Sequence, residues 1–362
     1  MNNTRKYYLD NIRWFTVVLV VIYHVLYMYN AEGVQGVLGK ITDLEVQYYD
    51  VFQYIVYPWF MLILFIISGI SSKLYLDRHT DKEFIKSRTR KLLVPSTIGL
   101  FVFQFIQGYI NMSFGDAFNT MSEVPKFVLY LIMLASGIGV LWYIQLLWVF
   151  SILLIPIRKI EKDRLWKAAT KTNIVVLILM LAVIHLSAQI LNTPIICVYR
   201  FGLYGVGFLL GYFVFSHDEV IEVLKKWFPV TATVAIILGI IFCVMYFGQV
   251  YADAPVNRTI SYTSYAWFAC LAILGGGAKY ADFKNAFTSW MSTHSWGFYI
   301  FHYLGISAVA LYIARPGLLP PLPVYILSLI AGFAAGYILY EIISRIPFFR
   351  WAVLGIKKEK RS

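Results

Sequence analysis

The stretch RWFTVVLVVIYHVLYMY, residues 13–29, is the first long apolar run of the chain, and it is long enough to cross a lipid bilayer. It begins with a charged residue, Arg13, and holds a second ionisable residue, His24, among valines, leucines and tyrosines. Ionisable side chains are costly inside a membrane span and usually mark a functional position. The stretch therefore predicts a transmembrane helix that carries part of a site.

The composition extends this interpretation to the whole chain. Of the 362 residues, 60% are hydrophobic and 14% are charged, whereas about 25% are charged in ordinary soluble domains. We therefore predict an all-α fold, a polytopic transmembrane bundle. No soluble domain or low-complexity tract interrupts the pattern, so residues 1–362 are expected to form a single integral membrane domain.

About ten apolar runs have spanning length, roughly 17–25 residues. The predicted spans are 12–29, 52–72, 92–111, 138–156, 173–190, 200–215, 229–248, 261–276, 294–313 and 322–342. A further apolar stretch, 125–136, is short and is predicted to be an interfacial or re-entrant piece.

The basic residues follow the predicted topology. Under the ten-span arrangement, 26 of the 31 lysines and arginines fall on the side of the two termini. Because cytoplasmic loops are enriched in lysine and arginine, both termini are predicted to be cytoplasmic. The net charge of +12 is thus explained by topology in a multi-pass plasma-membrane protein, and a nucleic-acid partner is not expected.

Arg13 and His24 lie on the same face of the first predicted helix. They are eleven residues apart, which is about three helical turns and about 16 Å along the axis. Arg13 lies at the cytoplasmic end, and His24 lies slightly beyond the middle of the bilayer. One face thus offers a cation to the cytoplasm and an acid/base group toward the outside.

This arrangement suits a reaction between a phosphate-bearing cytoplasmic donor and an acceptor on the other side. Arginine binds phosphate through a charge-assisted fork, and imidazole accepts a proton from a hydroxyl near neutral pH. Two structural interpretations remain open. Arg13 is also explained as an anchor of the helix end, and His24 as a hydrogen-bonding partner of a neighbouring helix.

Several segments, taken in order, resemble the acyltransferase 3 family of integral membrane acyltransferases. The matching segments are YYLDNIRWFTVVLVVIYH at 7–24, FIISGISS at 65–72, KSRTRKLLVP at 86–95, LWYIQLL at 141–147 and SWGFYIFH at 295–302. Within the family, YPWFMLILFIISG, RTRKLLVPSTIG and the ending LYEIISRIPFFRWAVLGIK most resemble the glucan biosynthesis protein C group. Members of that group are associated with succinylation of periplasmic glucans.

The resemblance implies transfer of an acyl group, acetyl or succinyl, from acyl-CoA to a hydroxyl of a glycan or another cell-envelope acceptor, with no metal. It implies that His24 is the catalytic base and that Arg13 is a donor-binding or structural cation. The family's Arg-x-x-Arg signature falls on Arg88 and Lys91, with Arg90 between them. Lysine at the second position keeps the charge but lacks the bidentate geometry of arginine. The alternative for this loop is anchoring at the cytoplasmic side.

Three further residues are predicted to take part in the site. Trp142 and Gln145 are three residues apart and share a helix face, and the resemblance implies that such a pair lines the tunnel for the thioester arm. A tryptophan near a membrane boundary is also a common interfacial anchor. His302 is predicted to line the same cavity, where it assists the base or binds the acceptor, with a buried structural histidine as the alternative.

Other polar residues receive structural interpretations. Asp10 is predicted to cap the first helix, and Glu341 to pair with Arg345 one turn later. His185 is expected to be buried. The histidines expected to be solvated near the cytoplasmic loops are His79, His217 and His294. The single cysteines, expected to be small core residues rather than a disulfide or metal site, are Cys197, Cys243 and Cys270.

Two other classes of protein stay open at this stage. A multi-pass transporter or exporter of acylated glycan or of a carboxylate also fits ten spans with a basic cytoplasmic face, although repeated halves with broken helices are not evident. A structural subunit of a polysaccharide assembly is the third interpretation. The sequence leaves open the acyl group, the acceptor, the choice between direct transfer and an acyl-enzyme, the group that orients His24, and whether the protein is a homo-oligomer.

Overall fold

The computed structural model describes residues 5–32, 37–190, 192–193 and 199–357. Over these residues the chain is an all-α bundle with eleven helices of ten residues or more. In chain order they are α1 Tyr7–Met28, α2 Tyr48–Leu76, α3 Asp81–Phe114, α4 Lys126–Ser136, α5 Gly139–Glu161, α6 Ile174–Ala188, α7 Phe201–Phe213, α8 Asp218–Tyr246, α9 Ile260–Tyr280, α10 Ala286–Ala314 and α11 Pro321–Arg345. Two two-residue strands, Asn192–Thr193 and Tyr199–Arg200, pair antiparallel before α7.

Each of the ten predicted spans coincides with one of these helices, and the short stretch 125–136 coincides with α4. Seven helices are long and apolar enough to cross a membrane: α1, α2, α3, α5, α8, α10 and α11. Shorter apolar helices are α4, α6 and α7. Helix α9, whose first half carries tyrosines, serines and a threonine, is not among these seven. The count of ten crossings and the cytoplasmic termini stay predictions.

Helical structure is the expected solution for these apolar runs, because a bilayer offers no water to hydrogen-bond the backbone and a helix satisfies the backbone internally. Polar caps fix several of the ends. Thr80 and Glu83 form a capping box at the start of α3, and Asn285 and Thr288 form one at the start of α10. Asn173 caps α6 through its side chain.

Helix α1 is in contact with helices from both ends of the chain. It packs against α2, α9, α10 and α11. The face that carries Arg13 and His24 is therefore enclosed by neighbouring helices rather than by lipid.

Helices α2 and α7 approach each other at backbone distance through a pair of glycines. A Cβ atom on Gly69 would lie 2.0 Å from the carbonyl oxygen of Phe208, and one on Gly211 would lie 2.1 Å from the carbonyl oxygen of Ile66. Small residues allow such close approach in membrane helix pairs. Gly69 and Gly211 are therefore packing residues of the contact between α2 and α7.

Helix α3 contains two π-helical turns, Thr89–Leu93 and Leu100–Gln104. Pro95 follows the first of them and has no N–H to donate to the preceding turn, which accounts for the irregular hydrogen bonding there. Single π turns inside α-helices frequently occur at functional sites. The first of these two turns includes Arg90 and Lys91, two of the basic residues that the sequence singled out.

Candidate functional site

The two histidines that the sequence singled out in membrane-length segments lie in direct contact. His24 on α1 and His302 on α10 have their Nδ1 and Nε2 atoms 3.0 Å apart, and their ring centroids are 4.9 Å apart. His302 is fully buried and His24 is partly buried. His302 is therefore the polar group of α10 that lies within hydrogen-bond distance of the His24 imidazole.

Hydrogen bonds to the backbone fix the tautomer of each ring. Nδ1 of His24 lies 2.9 Å from the carbonyl oxygen of Val20, and Nδ1 of His302 lies 2.6 Å from the carbonyl oxygen of Phe298. A carbonyl oxygen only accepts hydrogen bonds, so in the neutral pair each Nδ1 carries the proton. His24 then donates to Nε2 of His302 as well, and the lone pair of His24 resides on its own Nε2.

Aromatic rings surround the His24 imidazole. Tyr23, Tyr27 and Tyr303 make edge-to-face contacts with it, at centroid distances of 5.1, 6.0 and 5.2 Å. Such rings limit the orientations open to the imidazole and exclude water from around it. The arrangement holds one nitrogen of His24 as a proton acceptor in a fixed direction.

A cavity of about 530 Å³ opens at the end of the bundle that the charge pattern assigns to the cytoplasm. Helices α1, α2, α3, α5, α10 and α11 and the chain that follows α11 all contribute to its wall. Its basic lining residues are Arg13, Arg88, Arg90, Lys91 and Lys357. The cavity therefore brings together four cations predicted from the sequence, and it adds a fifth that was not predicted.

The cations of the cavity differ in how they are neutralised. Arg13 donates to Asp10 at 3.0 Å and to the hydroxyl of Ser71 at 3.1 Å. Arg88 donates to the hydroxyl of Ser72 at 3.0 Å and lies over the ring of Phe84. Within the described part of the chain, Arg88, Arg90, Lys91 and Lys357 form no ion pair with a carboxylate. The lining of the cavity consequently carries an excess of positive charge, which suits an anionic ligand.

The inner end of the cavity approaches the histidine pair along two helices. Val17 lines the cavity on α1 and precedes His24 by seven residues, about 10 Å of helix. Tyr299 lines it on α10 and precedes His302 by three residues, about one turn. The histidines themselves lie beyond the lining, so an extended ligand that entered from the basic end would present its far end to them.

The structure places Trp142 and Gln145 outside this cavity. Trp142 stacks on Tyr204 at a centroid distance of 5.7 Å, and Gln145 donates to the carbonyl oxygen of Ser96 at 3.1 Å. The residues of α5 that line the cavity are instead Tyr143, Ile144 and Leu147. The side of α5 that faces the cavity is thus the side of these three residues and not the side of Trp142 and Gln145.

Asp10 does not cap α1, which corrects the sequence-based interpretation. The helix begins at Tyr7, so Asp10 lies in its first turn. Its carboxylate accepts hydrogen bonds from both Arg5 and Arg13. Asp10 therefore orients Arg13 at the mouth of the cavity.

Two of the three histidines expected to be solvated are buried. His217 is 4% exposed, stacks on Trp166 and contacts the Trp166 carbonyl oxygen, and burial lowers its pKa. His294 is 8% exposed because it lies inside α10 rather than before it. Its Nε2 is 3.4 Å from Glu341, which also accepts a hydrogen bond from Arg345 at 2.9 Å, the pairing predicted from their spacing.

The remaining polar expectations concern His185 and the cysteines. His185 is partly buried, and its Nδ1 lies 3.0 Å from the hydroxyl of Thr263. Cys243 and Cys270 are free thiols, with Cys270 buried, whereas Cys197 lies outside the described residues. Among the described histidines, cysteines and acidic residues, no group of three is close enough to hold a metal ion.

Sequence reasoning missed several residues of the cavity. Ser71, Tyr143, Tyr299 and Lys357 line it, and none was singled out individually. Tyr299 had a signal, because it is the tyrosine of the Tyr-x-x-His segment that ends at His302. Lys357 had no such signal. It lies in a basic stretch at the end of the sequence, and any lysine there could equally be a cytoplasmic charge that anchors the last helix.

A family model described as an acyltransferase domain, acyltransferase 3, matches residues 6–341. The match covers α1 to α10 completely and reaches Glu341 in α11. It includes the histidine pair and every basic residue of the cavity except Lys357. Comparison with curated proteins and comparison with solved structures return no match.

Proposed function

The chain belongs to the acyltransferase 3 family and is a membrane acyltransferase, and we propose that it acts in the plasma membrane with acyl-CoA as donor. The acyl group, acetyl or succinyl, is transferred to a hydroxyl of a glycan or another cell-envelope acceptor on the outer side. His24 is the general base of this reaction. The observation that carries the proposal is the contact between His24 and His302, beyond the inner end of a basic cavity.

The donor assignment is supported by the charge and shape of the cavity. Acyl-CoA carries phosphates at its nucleotide end and its reactive thioester at the end of a narrow arm. Arg13, Arg88 and Arg90 provide guanidinium groups that suit phosphate oxygens. The narrow arm would pass Tyr143 and Tyr299 and bring the thioester carbonyl toward the histidine pair.

The chemical step follows from the tautomers of the two rings. The acceptor hydroxyl oxygen attacks the thioester carbonyl carbon while Nε2 of His24 takes the hydroxyl proton. Collapse of the tetrahedral intermediate breaks the carbon–sulfur bond, and the proton passes from His24 to the departing CoA thiolate. His24 keeps its Nδ1–H on Val20 and His302 throughout, so His302 and the backbone stabilise the imidazolium that forms.

The test is donor turnover by purified protein, with acetyl-CoA and succinyl-CoA supplied alone and together with candidate glycans. We expect His24→Ala to lose turnover by about 10²- to 10⁴-fold, the usual contribution of a general base, while CoA binding is retained. Arg13→Ala should instead raise the KM for the donor, because Arg13 lines the cavity and not the reacting centre.

Lys284→Ala is the matched control for the loss of a cation. Lys284 is exposed on the link between α9 and α10 and does not line the cavity. Its removal should leave both the turnover rate and the KM for the donor unchanged. If the wild-type protein neither binds nor consumes acyl-CoA with any acceptor supplied, the donor assignment is wrong. Transport of an acylated glycan or a carboxylate then becomes the better explanation of the basic cavity.

A further inference from the structure

After α11 the chain turns back and runs along the cytoplasmic end of the bundle. We name residues 347–357 the C-terminal segment. Its backbone touches α3 twice: a Cβ on Gly99 would lie 2.7 Å from the carbonyl oxygen of Ala352, and a Cβ on Gly355 would lie 2.4 Å from the carbonyl oxygen of Arg90. Trp296 of α10 donates its indole N–H to the carbonyl oxygen of Leu354 at 3.0 Å. The segment is thereby fixed between α3 and α10.

The end of this segment forms part of the cavity wall. Leu354, Gly355, Ile356 and Lys357 all line the cavity. Gly355 has a φ of +64°, a backbone conformation that glycine adopts without strain. This turn lays the segment directly on the backbone of Arg90 and Lys91. Lys357 therefore joins the basic residues of α3 at one opening, although 266 positions separate it from Lys91.

The cations of the cavity also differ in depth. Arg88 is partly buried, with its guanidinium between Ser72 and Phe84. Lys91 and Lys357 are exposed at the mouth. If the thioester is to reach the histidine pair, the opposite end of CoA must stay at the mouth. The phosphate that the exposed lysines meet is then the one on the adenosine ribose, at the far end of the donor from the thioester.

We propose that the C-terminal segment is a wall of the donor site and that Lys357, together with Lys91, binds the ribose 3′-phosphate of CoA. This inference rests on the proposed function. It assigns a specificity role to a residue that lies beyond the matched family domain. It follows that the protein distinguishes CoA from dephospho-CoA, which is identical except for the missing 3′-phosphate.

The test compares the dissociation constants of CoA and dephospho-CoA for the full-length protein in lipid nanodiscs at low salt. The wild-type protein should bind CoA more tightly than dephospho-CoA. Lys357→Gln should weaken CoA binding by about two- to fivefold, as for one partly solvated ion pair, and leave dephospho-CoA binding unchanged. Lys284→Gln removes a charge from the same face outside the cavity, and it should alter neither constant.

Each other result has a distinct meaning. If Lys357→Gln weakens both ligands equally, or neither, the assignment of Lys357 to the 3′-phosphate is wrong, while binding of CoA by the wild-type protein still supports the donor assignment. If the wild-type protein binds neither ligand, the donor assignment fails together with this inference. Raising the salt concentration should reduce the preference for CoA, because an exposed ion pair is screened.

Discussion

At the scale of single residues, the site depends on how two histidines satisfy their hydrogen bonds inside an apolar bundle. A buried imidazole needs a partner for its N–H, and each ring finds one in the carbonyl oxygen four residues earlier on its own helix. These local bonds set both tautomers before any ligand binds. The contact between the rings then gives His24 a second acceptor for the same proton. Under the proposed function, His302 is therefore a positioning residue, which acts on the substrate through His24.

This role predicts a specific response to substitution of His302. His302→Ala removes the second acceptor and opens space beside His24, so kcat should fall by about tenfold or more, yet by less than in His24→Ala. The KM for the donor should stay unchanged, since His302 does not line the cavity. His302→Gln supplies an amide oxygen as acceptor and should recover part of the loss.

The measurement is steady-state turnover of acyl-CoA at saturating acceptor by the wild-type protein and by the His302→Ala, His302→Gln and His24→Ala variants. A merely structural role for His302 predicts equal losses in the alanine and glutamine variants, together with a lower melting temperature. A KM that rises in step with the fall in kcat would contradict the positioning role.

At the scale of elements, the contact between α2 and α7 holds one wall of the bundle in place. Gly69→Ala would place a methyl carbon about 2.0 Å from the carbonyl oxygen of Phe208, so the two helices would have to separate. We expect a loss of about 1–3 kcal/mol in the free energy of unfolding. Thermal unfolding in detergent measures this effect. Gly115→Ala is the control, because nothing lies within 4 Å of its added Cβ, and equal melting temperatures for the two variants would refute the packing argument.

The positions of the helices could be predicted from apolarity, but their ends could not. Residues 92–111 predicted the membrane part of α3, yet the helix begins at Asp81, where Thr80 and Glu83 form the capping box. Likewise α8 begins at Asp218, eleven residues before its apolar run. Hydropathy detects the portion of a helix that lies in lipid. Polar turns that continue the helix into water carry no such signal.

The site shows the same division between local and distant information. The spacing of Arg13 and His24 follows from helix geometry alone, and α1 is continuous between them. The partner of His24 lies 278 positions away, so it depends on how α1 packs against α10. The place of Lys357 is even harder to predict from nearby residues, because it depends on a turn at Gly355 and on the π-helical stretch of α3. For Trp142 and Gln145 the limit is similar, since a shared helix face does not reveal which neighbour it meets, and other residues of α5 line the cavity.

At the scale of the whole molecule, charge and acid/base chemistry are separated along the bundle. The cations lie around a cavity at one end, and the histidine pair lies beyond its inner end. The proposed function uses this separation: the charged donor enters through the basic cavity, and the acceptor hydroxyl meets the histidine pair beyond its inner end. The proposed function therefore fixes the orientation in the membrane: if acyl-CoA is the donor, the basic end faces the compartment that holds it.

The orientation can be tested with two exposed lysines on opposite predicted faces. Lys40 lies between α1 and α2, and Lys284 lies between α9 and α10. In a background without Cys197, Cys243 and Cys270, we introduce Lys40→Cys and Lys284→Cys separately and treat right-side-out membrane vesicles with an impermeant maleimide. Position 40 should react in intact vesicles, and position 284 only after permeabilisation, because the basic loops remain in the cytoplasm. The reverse pattern would place the basic cavity outside the cell, where a cytoplasmic thioester does not reach it, and the donor assignment would fail with it.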